Sequence, residues 1–133
     1  MKRFALLPLL FVLLLSVHSD LYSQDEAGNQ IAGLIRKADA RELARHFNVM
    51  VQLTLPDNDG RFSRAQAELI VRDFFVKHPP KSFSISHQGS SSDGSRYYIG
   101  VYKSVKKDFR SYYLIKQVDD KPLIHQLRFE DDD

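Results

Sequence analysis

Between Ser63 and Pro80 the sequence writes out a helix together with its start and its stop. Ser63 can accept a hydrogen bond from the amide three residues on, while Gln66 reaches back to the Ser63 amide. This capping box satisfies two otherwise orphaned donors. Ala67, Ile70, Val71, Phe74 and Phe75 then follow the i, i+3, i+4, i+7, i+8 spacing of one apolar face, with Arg64, Glu68 and Arg72 opposite. Glu68 and Arg72 also pair at i, i+4. Lys77 suits the negative end of the helix dipole, and Pro79-Pro80 disfavours helix at His78, so the helix ends near Lys77. Burying a Val, Ile or Phe side chain yields roughly 1.5 to 3 kcal/mol gross, so such a face demands a partner surface. A helix laid on a sheet is the natural solution.

The chain before this helix begins with something other than fold. Met1-Lys2-Arg3 is a basic start, and Phe4 to Val17 is an apolar run too short for a spanning helix of roughly 20 residues. We read residues 1–23 as a signal peptide, with small residues at Ser19 and Ser23 offering alternative cleavage sites and the second preferred. The mature domain, 24–133, is then exported, periplasmic or secreted, and it meets a membrane only through the uncleaved signal peptide. With no cysteine in 133 residues there is neither a disulfide nor a lipidation site, so the domain must be stable on its core alone. About 110 residues suffice for one such core. Losing Lys2, Arg3 and Asp20 leaves basic and acidic side chains nearly balanced and interspersed, which concerns solubility and points to no ligand.

Ile31, Leu34, Ile35 and Ala38 lie at helical spacing within Asp25 to Lys37, and Asp39-Ala40-Arg41-Glu42 has capping-box form ahead of Leu43, Ala44 and Phe47. Two short helices with a tight joint are expected. Asn48 can end the second, and Val49 to Leu55 alternates as a first strand. Pro56-Asp57-Asn58-Asp59-Gly60 is turn chemistry leading into the central helix. After that helix the chain reads as strands only. Phe83, Ile85 and His87 alternate with Ser82, Ser84 and Ser86, and Gly89 to Gly94 closes a hairpin. In the third strand Tyr97, Ile99 and Val101 oppose Tyr98, Gly100 and Tyr102. In the fourth Phe109, Tyr113 and Ile115 oppose Tyr112 and Leu114. In the fifth, after an Asp119 to Pro122 turn, Leu123, His125, Leu127 and Phe129 oppose Ile124, Gln126 and Arg128.

Asp57-Asn58-Asp59-Gly60 resembles part of a calcium loop, but the register puts Leu55 and Gln66 where carboxylates are required, so a plain turn is the better reading. The Gly- and Ser-rich stretch 89–94 lacks the lysine of a phosphate loop and the strand-turn-helix setting of a nucleophile elbow. His87 and His125 fall on apolar strand faces, with no cysteine and few carboxylates to complete a metal site, so no metal or cofactor is expected. Tyrosine-rich strands could stack bases, but the basic residues are diluted by acids, which argues against nucleic acid.

The order helix, helix, strand, long helix, then four antiparallel strands resembles the nuclear-transport-factor-two-like, or cystatin-like, cone. That is an α+β fold in which a strongly curved antiparallel sheet wraps a long helix. More closely, the chain resembles an uncharacterised family of exported bacterial proteins of this fold. The resemblance is carried by Leu43-Ala44 with Phe47, Val51 and Leu53, by Gly60 with Ser63, by Ala65 to Glu68, by Asp73-Phe74-Phe75, and by Pro79-Pro80 with Phe83. Downstream it rests on His87 with Gly89, Tyr97, Ile99-Gly100, and Leu127-Arg128 with Glu130. It implies a fold and an exported location for most of the mature chain, and no activity.

Relatives of the wider fold include isomerases, dehydratases and binding or dimerisation modules, so the residues must choose. The leading reading is a non-catalytic domain binding a small apolar ligand, a peptide or a protein partner, with His87, His125, Tyr97 and Asp73 as the candidate pocket. A ketosteroid-isomerase-like or dehydratase-like enzyme using a His/Asp/Tyr pocket is the alternative. It is disfavoured because the second to fourth strands carry no Asp or Glu, leaving Asp73 as the one carboxylate able to reach the histidines. A third reading is a structural homodimer with a filled pocket, joined through an aromatic face of Tyr98, Tyr102, Tyr112, Leu114 and Ile124 that the central helix cannot also cover.

Overall fold

A computed structural model of the chain describes residues 25–132. The expected signal peptide and its cleavage sites lie outside the described residues. Residues 25–36 are helical (α1) and run into a tight joint. There the Asp39 amide donates to the Leu34 carbonyl and the Ala38 amide to that of Ile35, with Ala38 left-handed at φ 55°. This is a Schellman stop with alanine where glycine is usual. The second helix, Ala40–Ala44 (α2), is capped by Asp39, whose carboxylate accepts from the Glu42 amide. The first strand, Phe47–Leu55 (β1), turns on Pro56-Asp57 into Asn58–Ser63 (β2). Arg64–Lys77 (α3) is the central helix, and both halves of its Ser63/Gln66 capping box are formed. The strands Pro80–Ser90 (β3), Arg96–Ser104 (β4), Asp108–Val118 (β5) and Lys121–Asp131 (β6) complete the chain.

The strands form one six-stranded sheet in the order β2-β1-β6-β5-β4-β3, antiparallel except for the β1–β6 pair. Five strands were expected and six are found. The extra one is β2, where the stretch from Asn58 into the helix cap, read as a turn, extends and pairs with β1 over Met50↔Ser63 to Leu55↔Asn58. With Phe62 its one large apolar residue, β2 offers little period-2 signal. Its pairing comes from the two-residue turn that returns it along β1. The parallel β1–β6 contact brings the first strand to the interior of the sheet instead of its rim.

All three helices lie on the same face of the sheet. From α3, Phe74 stacks on Phe129 with ring centroids 4.6 Å apart and meets Phe109 edge-on at 5.1 Å and Tyr102 at 5.5 Å. Phe75 stacks on Tyr102 at 6.3 Å. From α1, Gly28 lies against Tyr98, and its carbonyl accepts from the Tyr113 hydroxyl at 2.8 Å. From α2, Leu43 and Ala44 join the same core, together with Val51, Leu53 and Leu127. Arg64 at the start of α3 donates to the Phe47 carbonyl, and Arg36 at the end of α1 donates to the Phe83 carbonyl on the outermost strand.

Candidate functional site: the open face of the sheet

The helix-covered interior, where a cone of this kind would hold a ligand, is packed solid around the rings just described. Tyr98, Tyr102, Phe109, Tyr113, Leu127 and Phe129 are all 0% exposed. Two recesses at its rim, one beside Leu55, Ile70 and Phe74 and one beside Ala27 and Ile115, have volumes of about 10 Å³, room for one water at most, while a shallow one of about 250 Å³ lies at the end of α3 between His78, Pro79, Ser104 and Val105. The interior hydroxyls of Tyr102 and Tyr113 are committed as well, whereas the buried Ser111 hydroxyl has no partner. Tyr102 donates to the His78 carbonyl at the end of α3, and burial drives both the Tyr102 and the Tyr113 phenols well above their ordinary range.

None of the four candidate pocket residues points into this interior. Asp73 is exposed on α3 and binds Lys77 at 2.9 Å, a hydrogen bond that raises the lysine pKa. His87 is exposed on the edge strand, opposite Ile99. Tyr97 is half-buried on the face turned away from the helices, with its ring across Gly89, whose missing side chain makes the room. His125 is half-buried on that same open face beside Lys116. The reason for both histidines is one device. The β3–β4 register shifts between Ile85 and His87, and the β5–β6 register shifts at Leu114/Ile115, so that Leu114 faces Gln126 while Ile115 faces Ile124. Each is a bulge, and one extra residue reverses every later side chain of a strand. Strict alternation placed His87 with Phe83 and Ile85, and His125 with Leu127; the bulges turn both outward.

The candidate dimer face is divided by the sheet in the same way. Tyr98 and Tyr102 are 0% exposed and Ile124 is 1% exposed, all beneath the helices, so they belong to the core and to no interface. Only Tyr112 and Leu114 stand on the open face. Both faces of β4 and β5 are aromatic, so alternation alone could not say which one the helices cover. Gly28 and Gly100 decide it. A side chain at Gly28 would collide with the Tyr98 ring, and one at Gly100 with the Phe83 ring and the Ser84 carbonyl. Glycine at these positions lets the helix and the edge strand close down on the Tyr98, Gly100, Tyr102 side.

The open face is ordered in rows across the strands. One row runs Ile99, Tyr112, Arg128, Thr54; the next runs Val101, Arg110, Glu130; on the other side lie Tyr97, Leu114, Gln126, Gln52, Arg61. An aliphatic and aromatic strip on β4 therefore borders a polar strip rich in cations. Two recesses open there. One, of about 240 Å³, is lined by Ile99, Arg110, Tyr112, Arg128 and Glu130. The other, of about 270 Å³, is lined by residues that include Met50, Arg61, Leu114, Lys116 and His125. Arg128 lies over the Tyr112 ring, its guanidinium carbon 5.5 Å from the centroid. Among the described residues Arg61, Arg110 and Arg128 have no carboxylate partner, and Lys116 has only a long contact with Asp93 at 3.9 Å. Asp59, two residues before Arg61 on β2 and opposite Thr54, accepts from Gln52 and Thr54. His125 Nε2 is buried with no hydrogen-bond partner, and burial first, then Lys116, lowers its pKa, keeping the ring neutral. The cationic row was legible in the parity of β5 and β6, where Arg110, Tyr112, Leu114 and Lys116 share one face, but only once that face was known to be the uncovered one. Among the described residues no three His, Asp or Glu side chains converge as a metal would require.

A helix-backed sheet with a filled interior and an open outer face defines a small α+β domain of the nuclear-transport-factor-two-like, cystatin-like class. Within that class the chain belongs to the family DUF4783, a domain of unknown function, whose profile matches residues 28–130. A DUF4783 family protein from Bacteroides uniformis is 27% identical in sequence and superposes with a TM-score of 0.72, covering 77% of this chain and 94% of that one. A second, from Bacteroides ovatus, is 24% identical with the same TM-score, covering 77% and 93%. A domain of unknown function with a cystatin-like fold from Nostoc punctiforme shares the fold at 10% identity and a TM-score of 0.63, over 82% of this chain and 77% of that one. No curated protein matches the chain.

Proposed function

We propose that this is a non-catalytic binding domain that engages a peptide or protein partner through the open face of its sheet. The observation that carries this reading is the division of labour between the faces. Phe74, Tyr102, Phe109 and Phe129 occupy the space in which a cone would hold a small apolar ligand, whereas the opposite face keeps two recesses between apolar and cationic side chains. A general base needs a proton within about 3 Å and an environment tuned for it. Asp73 lies on the helix side of the sheet and His87 and His125 on the other, which speaks against the His-Asp pair of the isomerase-like alternative. The basic, apolar start of the chain supports an encounter outside the cytoplasm. The test is site-specific photocrosslinking in the natively expressed full chain, with the photoreactive residue at Tyr112 or, on the helix side, at Val76. Polypeptide adducts from position 112 and none from position 76 are expected. Adducts confined to position 76, or a small molecule that binds saturably and quenches the interior tyrosines, would overturn the reading.

A further inference from the structure

We infer that the segment accepted by this face is an extended acidic stretch of a protein, its carboxylates meeting Arg110, Arg128 and Arg61 and its apolar side chains lying along Tyr97, Ile99 and Val101. This rests on the open face being the working surface, and it names the chemistry of the partner.

The cations are arranged for use. Arg128 stands over Tyr112 with its guanidinium carbon 5.5 Å from the ring centroid, a cation–π contact that holds the group without consuming its N–H donors. Arg110 stands one row away on the neighbouring strand, directly across from Glu130, yet the two form no ion pair. Guanidinium groups with unused donors beside a half-buried aromatic floor match carboxylates, which they can hold through paired hydrogen bonds worth roughly twice a neutral one. Arg61 is two strands beyond Arg128 and one row along, and Arg110 is one strand and one row from Arg128 on the other side, which places the outer cations, Arg61 and Arg110, about 20 Å apart at the backbone, from strand and residue spacings. That is the span of about six extended residues. Between them lie Leu114, Gln126 and the half-buried ring of His125, a floor partly apolar.

Charge also discriminates among occupants. A second copy docked face to face would bring Arg61, Arg110, Lys116 and Arg128 of one protomer against the same set of the other, with Asp59, Asp108 and Glu130 as the acids of that face, among the described residues, that form no ion pair. Like charges so juxtaposed oppose association. The chain's own residues 1–24 carry one carboxylate, Asp20, and cannot satisfy three guanidinium groups.

The probe is a ten-residue synthetic peptide alternating Glu with Leu or Phe, compared with its Glu→Gln counterpart and with a ten-nucleotide single strand. Each is titrated into isotope-labelled mature domain and followed by amide chemical shifts. We expect the acidic peptide to move resonances of Arg110, Tyr112, Arg128 and Ile99, with an affinity that falls as salt rises. The Gln peptide should bind at least about tenfold more weakly, as expected for losing charge-assisted bonds. The double variant Arg110→Gln/Arg128→Gln, both residues exposed and outside the core, should lose at least as much, whereas Lys81→Gln on the far edge should lose nothing. Equal binding of the two peptides, no shifts on this face up to millimolar acidic peptide, or binding by the oligonucleotide alone would overturn the inference. So would a dimer in light scattering that buries this face. If position 112 still captures a polypeptide while the acidic peptide fails, the partner chemistry is wrong and the working face stands.

Discussion

Gly28 and Gly33 lie five residues apart in α1, and exchanging each for alanine should change stability in opposite directions. In a helix interior alanine is favoured over glycine by about 1 kcal/mol. At Gly33 nothing lies within 4 Å of an added Cβ, so Gly33→Ala should realise that gain. At Gly28 the Cβ would fall among Cζ, Cε1 and Oη of Tyr98. That ring cannot retreat. It is 0% exposed, it stacks on Tyr113 with centroids 5.0 Å apart and planes 16° from parallel, and the Tyr113 hydroxyl is itself bound to the Gly28 carbonyl. Overpacking of a well-filled core costs up to about 3 kcal/mol, so after the helix gain Gly28→Ala should lose a net of about 2 kcal/mol. At about 4 °C per kcal/mol for a domain of this size, Tm should fall by about 8 °C in one variant and rise by about 4 °C in the other. Circular dichroism melts, backed by urea titrations to check that the m-value is unchanged, measure both. Adding Tyr98→Leu to Gly28→Ala should cost less than Tyr98→Leu costs alone, because the collision has gone. If Gly28→Ala were as stable as the wild type, or if the double variant showed no coupling, the close approach of α1 to Tyr98 would be wrong.

Ala38→Gly should stabilise the domain by up to about 1 kcal/mol in the same melts, since an L-residue in the left-handed region costs about 1–2 kcal/mol that glycine avoids. Ser63→Ala should cost about 1 kcal/mol by opening the capping box at the start of α3. Tyr102→Phe should cost about 1 kcal/mol or more, because the His78 carbonyl would lose the buried hydroxyl that donates to it. Burial is the first cause lowering the folded-state pKa of His46, His78 and His125 alike, so the unfolded chain binds these protons more readily. Their contribution is fully present above about pH 6.5 and is lost as pH falls from there through the lower folded-state values. Chemical denaturation between pH 7.5 and 5 should therefore show stability declining with acidification, and His125→Gln should flatten that slope. A stability that rises on acidification across this window would contradict the half-buried histidines with lowered pKa values.

What could be read in the sequence was whatever a single element determines by itself. The α3 helix was legible to its ends because its cap, its apolar stripe and its diproline stop are all local, and Ser63, Gln66 and Lys77 stand where the spacing put them. The joint after α1 was legible through Asp39, although the left-handed residue there is alanine, which announces nothing. The second strand was not, because Asn58 to Ser63 becomes β by returning along β1 and not by its own pattern. The site failed to appear for a related reason. Alternation along β3 and β6 is a rule about neighbours in one strand, whereas a bulge is a property of the pair. An extra residue near His87 and another near His125 are invisible until the partners Ile99 and Leu114 are known. Those two bulges matter beyond the bookkeeping of faces. Had the strands run in regular register, both imidazoles would have been driven into an interior already filled by tyrosine and phenylalanine rings, where an unpaired polar group is costly. By reversing the phase, the sheet keeps Ile124 and Leu127 in the core on either side of the irregularity and puts His125 between them on the open face. The irregularity that seals the interior thus also furnishes the floor of the recess between Lys116 and Arg61, and this ties the loss of an interior pocket to the appearance of an outer one.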